Sequence, residues 1–259
     1  MDKYKRIVVK VGTSTLTHST GKLNLSRIER LVMILSDLTN QGMEVVLVTS
    51  GAIGVGMSKL GLNKKPSDIA IKQAMAAVGQ GMLMQIYEKM FSEYGKIVGQ
   101  ILITKEDIFL KDRNNNAKNT FNALLRYGVV PIVNENDTIA TDEIKIGDND
   151  ILSAYVAELI NADLLIILSD IDGLFDADPK LEGANLISRV YIIDDSLEKI
   201  AKGASSALGT GGMKTKINAA QITMQNGIAM VIANGNRPDN IYEIISGKEI
   251  GTLFMKKEE

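Results

Sequence analysis

Short apolar runs alternate along the chain with longer segments whose apolar residues recur every three or four positions. The runs cover residues 6–11, 44–48, 97–103, 129–133, 164–168 and 228–233. Most are nearly continuous rather than alternating, the pattern of strands buried on both faces of a parallel sheet. Between them lie helical patterns. Ser26 is placed to cap one that carries Ile28, Leu31, Val32, Leu35 and Leu38 and stops at Gly42. Ser67 opens a long one toward Phe91, and residues 149–160, 212–225 and 238–245 read likewise.

This alternation predicts an α/β fold, a doubly wound sheet with helices on both faces. Residues 138–146, TIATDEIKI, break the pattern and read as a hairpin. Residues 111–119, KDRNNNAKN, read as a polar loop, and the end, GKEIGTLFMKKEE, as a short strand with a charged tail. No internal repeat or linker interrupts the chain, so its 259 residues are expected to form one domain.

Composition narrows the chemistry. Apolar residues make up 45% and charged residues 23%, a globular balance, and the net charge of −2 offers no bulk field for nucleic acid or anionic lipid. There is no cysteine, which excludes disulfides, thiolate metal sites and Cys nucleophiles. The single histidine, His18, lies in a polar stretch and argues against a Ser-His-Asp triad or a multi-His metal centre. The start, MDKYK, lacks a signal-peptide run, and no apolar stretch is long enough to span a bilayer. A cytoplasmic protein with no membrane partner is the expectation. Its chemistry must rest on lysines, carboxylates, amides, hydroxyls and backbone.

In open α/β sheets, ligands gather beyond the carboxyl ends of the strands. Polar and glycine-rich clusters fall there repeatedly: Lys10 and Gly12 after the first run, Ser50, Gly51 and Ala52 after the second, Asn134 to Asp137 after another, and Ser169 and Asp170 later. Lys10 interrupts a buried run. It is either an edge-strand lysine reaching to water or a charge aimed at phosphate. Gly51, Gly54 and Gly56 fit either a ligand cradle or a tight turn into a helix. The segment Thr210-Gly211-Gly212-Met213-Lys214-Thr215-Lys216 precedes a helix and suits a polyphosphate, through free N–H groups, a positive dipole end and ammonium groups. A solvated loop is the plain alternative. Asp148, Asn149 and Asp150 open another helix, where a cap explains only one of the three. Met75, Met82, Met84 and Met90 read as core or subunit-contact filler.

Taken together, VVKVGTS, VTSGAIGVG, KQAMAAVGQ, PIVNENDT, IKIGDND, LSDIDGLFDADP, GTGGMKTK and GTLF occur in one order along nearly the whole chain. This set resembles the amino acid kinase family, and within it the kinases that act on free glutamate. The resemblance implies a three-layer α/β/α sandwich with a mainly parallel central sheet. It implies a substrate part at about residues 1–160 and a nucleotide part at about 161–259. It implies phosphoryl transfer from ATP, with Mg²⁺, to the γ-carboxylate of L-glutamate, giving L-glutamyl 5-phosphate, the first step of proline biosynthesis.

The resemblance assigns catalysis to Lys10, Lys216 and Asp150, the acid organising both lysines. It assigns the substrate to Ser50, Asp137 and Asn149, with Gly51, Ala52, Asn134 and Asp148 nearby. It assigns ATP to Lys10, Gly12, Ser169, Asp170 and the segment Thr210, Gly211, Gly212, Met213, Lys214, Thr215 and Lys216; no residue is assigned as a metal ligand. Feedback inhibition by L-proline and homo-oligomerisation are implied as well. Many relatives continue into a PUA domain of the kind found in RNA-modifying proteins. This chain ends at Glu259, so no PUA domain and no nucleic-acid partner are expected. A glutamate γ-carboxylate, with a pKa of about 4.3, is ionised at neutral pH and needs no general base, which fits a chain almost without histidine. The rival readings are a kinase of the same family acting on aspartate, N-acetylglutamate or UMP, and a non-catalytic amino-acid sensor on the same fold.

Overall fold

Each apolar run becomes a strand because its side chains are buried above and below the sheet. The strands are β1 (Arg6–Val11), β2 (Glu44–Val48), β3 (Val98–Ile103), β4 (Val130–Glu135), β5 (Leu164–Ser169), β6 (Arg189–Val190), β7 (Ala229–Asn234) and β8 (Thr252–Phe254). The computed structural model describes residues 4–62, 64, 66–140, 149–179, 181, 183–195, 197, 200 and 212–257. Among these residues, the eight strands form one sheet in the order β3-β4-β2-β1-β5-β7-β8-β6. Every pairing is parallel except that of β7 with β8. The chain builds outward from β1 toward β3 and then crosses to β5 on the other side. The carboxyl ends of β1 and β5 therefore flank a topological switch point, where open α/β sheets place ligands.

The helices are α1 (Thr13–Leu16), α2 (Leu25–Asn40), α3 (Ala52–Lys59), α4 (Ile69–Ser92), α5 (Lys105–Phe109), α6 (Lys111–Arg126), α7 (Asn149–Leu159), α8 (Met213–Gln225) and α9 (Asn240–Ile245). They cover both faces of the sheet. Alternate strand residues point to opposite faces. Ile7, Val9 and Val11 of β1 accordingly pack with Leu35 of α2, Phe91 of α4 and Ile241 of α9. Val8 packs with Phe121 of α6, Val156 of α7 and Ile217 of α8. These two cores make the three-layer α/β/α sandwich. Met75 is buried, while Met82, Met84 and Met90 pack partly buried against one core, as the filler reading expects.

Three local expectations change. Residues 111–119 are helical, forming the start of α6. The segment is polar because only Ala117, Phe121 and Leu125, spaced by four, face the core. The cap of α2 is Asn24, whose side chain accepts from the Arg27 amide, and not Ser26. The cap of α4 is Asp68, which accepts from the Ile71 amide, and not Ser67. The hairpin expected over 138–146 falls largely on residues 141–148, which lie outside the described residues. No helix among the described residues is long and apolar enough to cross a membrane.

Candidate active site

β1 runs between β2 and β5, so Lys10 is not on an edge strand. It shares the parity of Val8 and points toward α7 and α8. There its Nζ donates to Oδ1 of Asp150, in the first turn of α7. Lys216 Nζ, from α8, donates to Oδ2 of the same carboxylate at 3.0 Å. All three side chains are buried, Asp150 completely. Three elements far apart in sequence thus place two ammonium groups on one acid. Burial pushes the Asp150 carboxyl up, but the charges and hydrogen bonds of Lys10 and Lys216 outweigh it and hold the acid well below the usual carboxylate range. The trio carries a net charge of about +1.

The entrance to α8 reinforces it. No acid occupies its first turn, where a helix prefers negative charge; Lys214 and Lys216 stand at that end instead. Such an arrangement disfavours the isolated helix and favours an anion at its N-terminus. Gly212 enters the helix in extended conformation. The Thr215 hydroxyl lies 2.7 Å from the Gly212 carbonyl and 3.2 Å from Asp150 Oδ2. Met213 is buried in the core. Thr210 and Gly211 lie outside the described residues.

On the other flank, β2 ends at Val48 and leads into Thr49 and Ser50. Gly51 then takes a left-handed φ of 96°, a turn that favours glycine, and α3 begins at Ala52. Asn149 Nδ2 lies 2.7 Å from the Thr49 carbonyl, 3.0 Å from Ser50 Oγ and 2.8 Å from Asn134 Oδ1. Ser50, Asn134 and Asn149 are therefore one cluster, and Asn149 adjoins Asp150. Asp137 is half-buried in the turn after β4. Asp148 lies outside the described residues. Gly12 follows β1, and a Cβ there would meet Lys10 Nζ at 3.7 Å, an ordinary contact. Ser169 ends β5, its carbonyl accepting the Gly235 amide at 2.7 Å; Asp170 is exposed beside it. His18 is exposed as well.

The glycine series after β2 divides in two. Gly51 makes the turn, but Gly56 faces α4: a Cβ there would lie 1.9 Å from the Met75 carbonyl oxygen. Its role is helix packing. Gln80 and Tyr87 of α4 were not foreseen. Gln80 Oε1 accepts from Asn134 Nδ2 at 2.7 Å, and the Tyr87 hydroxyl meets Thr49 Oγ1 at 2.8 Å. Burial pushes the Tyr87 phenol up beyond its ordinary range.

No cluster of three His, Cys, Asp or Glu side chains suited to a metal occurs among the described residues. Both oxygens of Asp150 are already held by lysines. The donor set fits a cation-lined anion site and does not by itself make a metal cage.

Residues 5–234 match the amino acid kinase family, a span that includes Lys10, Ser50, Asn134, Asn149, Asp150 and Lys216. The chain belongs to that family. Within it, this amino acid kinase falls among the glutamate 5-kinases. It is 55% identical over 260 residues to glutamate 5-kinase of Clostridium acetobutylicum, covering 100% of this chain and 97% of that one. It is 57% identical over 251 residues to glutamate 5-kinase of Caldanaerobacter subterraneus subsp. tengcongensis, covering 96% of this chain and 68% of that one. Carbamate kinase from Giardia lamblia bound to AMP-PNP shares the fold, with a TM-score of 0.69 at 17% identity, covering 99% of this chain and 100% of that one.

Proposed function

We propose that this amino acid kinase transfers the γ-phosphoryl group of ATP to the γ-carboxylate of L-glutamate, forming L-glutamyl 5-phosphate, the first step of proline biosynthesis. The names of its relatives support the substrate. The observation that carries the chemistry is the convergence of Lys10 and Lys216 on Asp150. A γ-carboxylate oxygen attacks the γ-phosphorus, an O–P bond forms, and the bond to the β–γ bridging oxygen breaks. ADP leaves with that electron pair, and no proton has to move. The obstacle is repulsion between two anions, so the catalyst must position and neutralise charge.

In this reading Lys10 and Lys216 flank the γ-phosphoryl group, and Asp150 holds both ammonium groups in place. The backbone of residues 210–216, with Gly12, Ser169 and Asp170, holds the nucleotide. Ser50, Gly51, Ala52, Asn134, Asp137, Asp148 and Asn149 hold glutamate, the acids serving its ammonium. The substrate side lies in residues 1–160 and the nucleotide side in 161–259. Mg²⁺ would arrive on the phosphate oxygens of ATP, and no step is assigned to it.

The test is ATP turnover with Mg²⁺ and glutamate, trapping the acyl phosphate as a hydroxamate. Glutamate-dependent hydroxamate, absent with aspartate, N-acetylglutamate or UMP, is the expected result. ADP release without it overturns the reading. Repeating the assay with L-proline reads out feedback inhibition, and sedimentation reads out homo-oligomerisation.

A further inference from the structure

Asp150 has a third donor beside its two lysines. The Thr215 hydroxyl stands 3.2 Å from Oδ2, the oxygen that also accepts from Lys216 Nζ at 3.0 Å. Thr215 and Lys216 are neighbours in the first turn of α8, so one short stretch of backbone brings both to that oxygen. Asp150 itself is completely buried, in the first turn of α7.

The hydroxyl has one proton and two acceptors within reach. The nearer acceptor is the Gly212 carbonyl, at 2.7 Å. That carbonyl also accepts the Thr215 amide, at 3.1 Å. The hydroxyl is therefore a second donor at Gly212, and turning it away leaves the carbonyl with its amide. Rotation of the O–H about the Cβ–Oγ1 bond moves no heavy atom and aims the proton at Asp150 Oδ2 instead.

A donor matters more at Asp150 than at Gly212. A hydrogen bond to an ionised oxygen is about twice as strong as one between neutral groups. Lys216 serves Oδ2 while its ammonium rests there. In the proposed reaction the same ammonium is drawn toward the γ-phosphoryl group, and its hold on Oδ2 weakens. The proton of Thr215 lies beside the oxygen that Lys216 then leaves.

We infer that Thr215 is a positioning residue whose hydroxyl turns from the Gly212 carbonyl to Asp150 Oδ2 as Lys216 is drawn toward the transferred group, so that the acid keeps its place and goes on holding Lys10. This rests on the reading of Lys216 as a phosphoryl contact. The hydroxyl touches no reacting atom and acts through Asp150.

Urea unfolding of the ligand-free chain tests the turn without any turnover. Lys216→Met withdraws the ammonium permanently. Thr215→Val removes the hydroxyl and keeps the shape, and Thr215→Ser keeps the hydroxyl. Thr215→Val should raise the unfolding constant about fivefold more in Lys216→Met than beside Lys216. That is the difference between a hydrogen bond to a charged group and one between neutral groups. Thr215→Ser should act alike in both backgrounds. Equal effects of Thr215→Val in the two backgrounds overturn the inference.

Turnover gives a second readout, which decides the matter if the double variant does not fold. Thr215→Val should lower kcat about tenfold, with KM for ATP and for glutamate within about twofold, and Thr215→Ser should restore it. A full kcat in Thr215→Val, an effect carried entirely by ATP KM, or an equal loss in Thr215→Ser overturns the inference. If the wild type shows no glutamate-dependent turnover, the substrate reading fails, and the unfolding comparison still judges Thr215. If it turns over and Thr215→Val does too, only the role of Thr215 fails.

Discussion

Gly56 of α3 and Gly79 of α4 bring the two helices into backbone contact. A Cβ on Gly56 would lie 1.9 Å from the Met75 carbonyl oxygen, and one on Gly79 would lie 1.8 Å from that of Ala52. Ala52 directly follows the Ser50-Gly51 turn, so this contact ties that turn, proposed to hold glutamate, to α4. Gly79→Ala would gain roughly 1 kcal/mol in helix propensity. Separating the two backbones would cost about 1–3 kcal/mol, and the cost wins. Urea unfolding should show net destabilisation, and glutamate KM should rise as Ser50 moves. A stabilised Gly79→Ala with unchanged KM would contradict this packing.

Lys216 and Lys10 hold opposite oxygens of one acid, yet their loss has different consequences from loss of the acid. Lys216→Met leaves Asp150 paired with Lys10, so the fold survives. If Lys216 is a preorganised charge for the transferred group, kcat should fall about 10²–10³-fold. Asp150→Ala leaves two buried ammonium groups facing each other, a change of about 3–5 kcal/mol. Its melting temperature should recover with ATP, whose phosphates replace the missing anion. Near wild-type turnover in Lys216→Met would remove it from the chemistry.

The depressed Asp150 pKa fixes a pH window. The folded protein keeps this group ionised below the unfolded value of about 3.9, so between those values the unfolded chain binds more protons. Its stabilisation is complete above the unfolded value and is lost as pH falls toward the folded one. The wild type should hold its urea midpoint from pH 7 to about 5 as far as this group is concerned, then lose stability below about pH 4. Asp150→Asn should start lower and fall less steeply. Asp239, held low by its hydrogen bond from Arg30, contributes to both proteins and cancels in the comparison. Parallel curves would show that Asp150 does not couple folding to acid.

Asp137 tests the substrate assignment on its own. A carboxylate serving the α-ammonium has no part in nucleotide binding, so Asp137→Ala should raise glutamate KM at least about tenfold, one lost charge-assisted contact. ATP KM should stay within about twofold. Matching increases in both constants would point to a disturbed fold after β4.

Most of this frame was legible because burial writes itself plainly: a run such as Ile7, Val8, Val9 and Val11 admits few structures, and Lys10 within it signals a paired charge. Other features left weaker traces. α6 shows the sheet only a narrow stripe, so its polar start reads as a loop. Asn24 and Ser26, like Asp68 and Ser67, are both capping types, and local geometry chooses between them. The two-residue strand β6 has no periodicity to read. Gly56 resembles a ligand-cradle glycine until the partner helix is placed. Gln80 lies in an ordinary helical pattern, and only the fold brings it to Asn134.

The terminal GTLF segment has a physical task beside the residues proposed to hold the nucleotide. Thr252, at the start of β8, accepts the Leu174 amide through its hydroxyl at 2.8 Å. A Cβ on Gly173 would lie 2.6 Å from that hydroxyl, and one on Gly251, whose φ is 70°, would lie 2.0 Å from the Ile232 carbonyl oxygen and 3.1 Å from that of Asp172. β8 therefore pins residues 170–174, which carry Asp170 and Asp172, against β7. Thr252→Val preserves the shape and removes the acceptor, leaving the buried Leu174 amide unpaired at about 1–3 kcal/mol. The released loop should raise ATP KM several-fold with glutamate KM unchanged, because Ser50, Asn134 and Asn149 stand on other strands and helices. A shift confined to glutamate KM would mean that β8 acts on the opposite flank of the site.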